Sequence, residues 1–277
     1  MTRFDSVAVV DWSASSALSP ARPSPDAIWI GQAGRESRYF RSRAEAEAAL
    51  RALIAEEQAA GRRLLIGFDF PFGYPAGFAA RLTGKVQAQA VWAWLAAQIS
   101  DGPDNRNNRF AVAAAVNRQM GGAGPFWGCP AGLNLPGLAA VKAVDYAALG
   151  LPERRAVERL VPKAQPVWKL YTTGAAGSQA LMGLPAIHRL AALPGVAVWP
   201  FAAAERASVV LAEVYPSLLA RAVAADGAPV RDEAQVRLLA RALSRADLAP
   251  LLAVPGEARE EGWILGAGHV AALEAAL

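Results

Sequence analysis

Three short apolar runs in this chain each deliver an acidic residue at or near their end. Val7-Ala8-Val9-Val10 leads to Asp11, Leu64-Leu65-Ile66-Gly67-Phe68 to Asp69, and Val209-Val210-Leu211-Ala212 to Glu213. Runs of this length and composition read as buried strands. Pro71 and Pro216 lack the N–H that a central ladder needs, so the second and third strands must stop close to their acids. That leaves carboxylates at the carboxyl ends of strands, where open α/β sheets bind ligands. Carboxylates that converge repel one another unless a cation joins them. Hard oxygen ligands suit Mg²⁺ or Mn²⁺, and two such ions roughly 4 Å apart can serve phosphodiester cleavage. A plainer role for Asp69 is to accept backbone N–H groups in the turn before Pro71.

The elements that must position these acids follow from the residues between them. Asp11 runs into the turn Trp12-Ser13-Ala14-Ser15-Ser16 and a Pro/Ser loop through Pro25. Ile28-Trp29-Ile30 and Arg38-Tyr39-Phe40 read as short strands joined by a turn, so the first three strands form an antiparallel meander. Ser42 and Glu45 make a capping box for a helix whose apolar face is Ala46, Ala49, Leu50, Leu53 and Ile54. Gly61 ends that helix, and the Asp69 strand begins.

Three strands, a helix and a fourth strand, with Asp closing the first and the fourth, is the opening order of the ribonuclease H-like fold. The segments VAVVDWSAS, LIGFDFPFGYP and LAEVYPSLL resemble a domain-of-unknown-function family whose members are predicted ribonuclease H-like nucleases. The resemblance spans most of the chain through these three motifs. It implies an α/β fold with a ribonuclease H-like mixed sheet flanked by helices, and a metal-dependent nuclease or phosphodiesterase activity. It implies convergence of Asp11, Asp69 and Glu213 around Mg²⁺ or Mn²⁺, with Asp232 as a fourth carboxylate from a late helix. An Asp in the first turn of a helix also suits the helix dipole with no metal at all.

The chain reads as one domain over 1–277, with a long, mostly helical insertion at 71–166. Trp92, Trp94, Leu95 and Ile99 suggest one helix, and a second runs to Met120 after the polar loop at 101–109. The stretch from Gly121 through Ala123 to Pro130 should be loop throughout. An insertion beside a strand mouth is well placed to cover a substrate, and it reads equally as a surface elaboration. A cover that closed the cleft to polymers would leave a small nucleotide as substrate. Arg106, Asn107, Arg109 and Arg118 offer a grip on phosphates, although a solvated charged loop explains the same residues. The loop ending at Ser178 opens an apolar-periodic helix with Lys169 nearby, which makes either an anion site or an ordinary Gly-rich helix start. Strands at 196–199 and 209–214 and helices at 217–225 and 231–245 complete the pattern.

Composition narrows the classes. A chain of 277 residues with 54% hydrophobic content has a sizeable core to bury. Cys129 is alone, so there is no internal disulfide, and His188 and His269 are too far from it in sequence for a zinc motif. No signal peptide or membrane span is recognisable, and the expectation is a cytoplasmic protein with no membrane partner. The net charge of +4 is mostly scattered Arg and only weakly favours nucleic acid. The partner expected is nucleic acid, a small nucleotide or another phosphate ester. Rival readings are a phosphoryl-transfer enzyme in which Asp11, Ser13 and Ser15 handle a nucleotide phosphate, and a non-catalytic binding protein that retains the fold. The resemblance also carries a molybdopterin guanine dinucleotide synthesis label.

Overall fold

The structure, a computed structural model, describes residues 3–122 and 124–277. In chain order its elements are β1 (Ser6–Asp11), β2 (Ile28–Gln32), β3 (Arg38–Phe40), α1 (Arg43–Ala59) and β4 (Leu64–Phe68). Then come α2 (Phe78–Thr83), α3 (Ala88–Gln98), α4 (Arg109–Gln119), α5 (Tyr146–Leu149), α6 (Ala156–Leu160) and α7 (Ala176–Ala191). The last part holds β5 (Val196–Val198), β6 (Val209–Glu213), α8 (Ala220–Asp226), α9 (Arg231–Arg245), α10 (Leu248–Leu251), α11 (Ala258–Glu261) and α12 (Val270–Ala275).

The six strands form one mixed sheet in the order β3-β2-β1-β4-β6-β5. The first three are antiparallel neighbours, joined by a loop and a short turn. α1 then carries the chain back so that β4 pairs parallel with β1, and β6 and β5 extend the parallel half. The capping box at Ser42 and Glu45 forms as expected, with Glu45 N–H donating to Ser42 Oγ.

Strand alternation divides the core into two faces. On one lie Ala8, Val10, Ile66, Phe68, Val209 and Leu211, covered by α1, α3 and α7. On the other lie Val7, Val9, Leu65, Val210, Ala212 and Val214, covered by Val236, Leu239 and Leu243 of α9. α9 rests directly on β2 at Gly31, where a Cβ would come within 2.7 Å of the Val236 carbonyl carbon. No larger residue fits there without moving the helix.

The 71–166 segment is built into the first face. Phe72, Tyr74, Phe78, Trp92 and Phe126 belong to the same apolar cluster as the strands, together with Trp168. Ring centroids of Tyr74 and Phe78 lie 4.5 Å apart, and those of Tyr74 and Trp168 5.3 Å apart. The segment is less helical than expected: α5 and α6 are single turns, and 120–145 is irregular among its described residues. Ala123, within the expected loop, lies outside the described residues. Trp29, Trp168 and Trp199 are buried, as their apolar surroundings indicate. Among the described residues, no helix is long and apolar enough to cross a membrane.

Candidate functional site: a carboxylate cluster at the ends of β1 and β4

Val10 and Phe68 are register partners, and Asp69 N–H donates to Val10 O, so the next residues, Asp11 and Asp69, emerge side by side. By alternation both face the α9 side of the sheet. Their carboxyl groups are within hydrogen-bonding reach of each other. Trp12 N–H donates to Asp69 Oδ1 at 2.8 Å. The turn role considered for Asp69 is therefore present too, but the bond runs to the neighbouring strand's exit and not to the turn before Pro71.

Asp232 arrives from the first turn of α9. Its Oδ2 accepts the Asp26 N–H at 2.8 Å, from the loop between β1 and β2. Asp26 holds a left-handed φ of 57°, a conformation that Asp tolerates better than most residues. Burial pushes the Asp11 carboxyl well above the ordinary carboxylate range, and the charges of Asp69, Asp232 and Asp26 push it further. Burial likewise pushes Asp69 up to about 6, against the stabilising bonds from Asp11 and the Trp12 N–H. Asp232 is also raised, first by burial, against the stabilising bond from the Asp26 N–H, and then by the Asp26 charge. The charges of four acids thus act on one another here, and no salt bridge among the described residues relieves them.

Glu213 corrects the sequence expectation. It pairs in register with Phe68 and not with Asp69, so its side chain leaves the sheet on the opposite face from Asp11 and Asp69. There Arg155 grips it bidentately, with Nη2 to Oε1 at 2.6 Å and Nη1 to Oε2 at 2.8 Å. Phe72 N–H also donates to Oε2. Arg155 is 1% exposed and also binds Glu158, so Glu213 belongs to a buried ion network. Glu261 joins the same region by accepting the N–H groups of Ala76 and Ala156. This network ties the insertion, the end of β6 and α11 together.

The other expected site residues do not converge. Arg106 is exposed and paired to Asp104. Arg109 and Arg118 sit at opposite ends of α4, roughly 13 Å apart along its axis. Arg118 donates to Pro136 O at the surface. Arg109 is buried against Ser178, Ser16 and Asn107. Ser13 Oγ is engaged with Asp26 O, which ties the β1 exit to the Asp26 loop. Lys169 Nζ caps Thr173 O. The Gly-rich start of α7 is not an open anion cradle, because the Gly177 and Ser178 N–H groups bond Lys169 O and Ala175 O.

Sequence reasoning missed Asp26 and Arg155. Asp26 is a lone acid in a Pro/Ser loop, and nothing local marks it. Arg155 could have been sought only by asking what neutralises a buried Glu213.

The donor set fits a hard divalent cation: acid oxygens only, with repulsion that a cation would relieve. Among the described residues, no three such side chains already surround a common ion position. Asp11 and Asp69 instead lie beside each other with raised pKa values, a repulsion that a cation between them would offset. Compared with protein-family models, with curated proteins and with solved structures, the chain matches none.

Proposed function

We propose that the chain is a divalent-metal-dependent phosphodiester hydrolase of ribonuclease H-like architecture. The observation that carries this reading is the Asp11–Asp69 pair, two half-buried acids side by side at adjacent parallel strand ends, with the charges of Asp232 and Asp26 acting on them. The strand order, antiparallel through β3-β2-β1 and then parallel to β4, supports the architecture.

Asp11, Asp69 and Asp232 would hold Mg²⁺ or Mn²⁺, and Asp26 adds negative charge at the rim. When bound, the cation supplies Lewis acidity toward phosphoryl oxygens. The chain's own residues set up the site. Trp12 N–H fixes one oxygen of Asp69, and Asp26 N–H fixes one oxygen of Asp232, leaving a second oxygen on each. Burial and mutual repulsion raise both carboxyls of the Asp11–Asp69 pair above the ordinary range, a cost that a bound cation would offset. Glu213 shapes the strand mouth through Arg155 and is not a ligand.

Hydrolysis of bis(p-nitrophenyl) phosphate with Mn²⁺ tests the reading. Asp11→Asn, Asp69→Asn and Asp232→Asn should each lower turnover by more than the roughly 100-fold that losing an outer-shell partner costs. Turnover by the parent that survives chelation, or that all three variants keep, contradicts it.

A further inference from the structure

Arg109 is 8% exposed, yet no carboxylate among the described residues pairs with it. The nearby Asp101 is taken by Arg43, which grips it through Nε at 2.7 Å and Nη2 at 2.6 Å. Arg109 makes do with neutral oxygens: Nε donates to Ser178 Oγ at 2.9 Å, and Nη1 to Ser16 Oγ and Asn107 Oδ1 at 2.8 Å. Its Nη2 has no partner among the described residues and is not sealed from solvent. Burial, with Arg43 close by, lowers its pKa to about 10. A guanidinium removed from water without a counter-charge is costly, and an arriving oxyanion removes that cost.

Aromatic surface adjoins it. The Arg109 guanidinium lies 4.3 Å from the Phe110 ring centroid. Phe110 meets Tyr171 edge-on at 6.4 Å, and Tyr171 is 48% exposed. A large exposed ring beside a half-buried one offers a stacking face for a base. Ser16, meanwhile, stands on the loop that leaves Asp11.

We propose that Arg109 with Ser16 forms an oxyanion subsite for the phosphate of a nucleotide unit whose base stacks on Tyr171. This deepens the proposed function by naming nucleotides as the substrate class, and to that extent rests on it. Binding at the subsite needs no metal, because its charge comes from Arg109 alone.

The test is calorimetric titration in chelator with adenosine 5′-monophosphate, adenosine and inorganic phosphate. The monophosphate should bind saturably, and adenosine more weakly. Tyr171→Ala, at an exposed position, should weaken the monophosphate roughly tenfold and leave phosphate affinity unchanged. Ser16→Asp places a carboxylate on Arg109 and should abolish binding of both anions while melting no lower than the parent. Absent binding of the monophosphate, adenosine binding as tightly as the monophosphate, or affinities unmoved in both variants overturn the subsite. Monophosphate binding that follows these variants in a protein without Mn²⁺-dependent hydrolysis would instead overturn the hydrolase reading and leave the subsite standing. Hydrolysis without monophosphate binding would do the reverse.

Discussion

Asp11 and Asp69 are held where their ionised forms cost the folded state free energy. Both are raised above the unfolded carboxylate value, so the native state binds protons more tightly than the unfolded chain does. The cost is present in full above the folded values and is relieved as pH falls toward the unfolded value near 4. In chelator, therefore, the melting temperature should rise as pH is lowered from about 7 to 5. Asp69→Asn should melt higher than the parent in chelator, by an amount on the order of 1–3 kcal/mol, because its amide oxygen still accepts the Trp12 N–H. With saturating Mg²⁺ the order should narrow or reverse, since only the parent gains full stabilisation from a bound ion. An equal drop for the variant with and without Mg²⁺, read from melting curves, would reduce Asp69 to a backbone acceptor. These two acids were legible in the sequence because a short apolar run ended at each. Glu213 shared that context and still fell on the wrong face, because a one-residue offset in register reverses the direction of a strand side chain.

At the scale of elements, the site depends on where α9 sits, since Asp232 is carried in its first turn. The helix lies against the bare backbone of Gly31, so Gly31→Ala should push it outward and cost about 1–3 kcal/mol in denaturant unfolding. It should also weaken Mn²⁺ binding by displacing Asp232. On the opposite face, Arg155→Leu should cost about 3–5 kcal/mol, because it strands Glu213 and Glu158 without a counter-charge. Glu213→Gln should leave Mn²⁺ affinity unchanged while Asp232→Asn lowers it, a contrast that one titration series reads directly. The helix carrying Asp232 was legible in the sequence as 231–245. That its acid turns toward Asp26 and not to capping its own helix was not, because the partner lies in a loop more than two hundred residues away.

At the scale of the whole molecule, the 71–166 segment shares its core with the sheet. The rings of Phe72, Phe78, Trp92 and Phe126 pack in the same cluster as Phe68 and Leu211. Tryptophan fluorescence, with Trp92, Trp94 and Trp127 inside the segment and the other five outside it, should therefore report the same unfolding midpoint as far-UV dichroism. Two separated midpoints would make the segment an independent body. Its loop at 101–109 also reaches the chain leaving β1, where Asn107 Nδ2 donates to Ser15 O and Arg109 Nη1 to Ser16 Oγ. The sequence showed the order of strands and helices, because period and punctuation are local properties. The face a segment covers depends on long-range register, which no local pattern encodes.

The central claim is that the acid pair is a divalent-metal site whose raised carboxyl pKa values fall when a cation binds. Calorimetric titration of Mn²⁺ near neutral pH, in two buffers of different ionisation enthalpy, tests it most directly. The expected result is saturable binding by the parent with net proton release, and loss of both in Asp11→Asn despite an intact fold. No binding by the parent, or equal binding by the variant, would contradict the account.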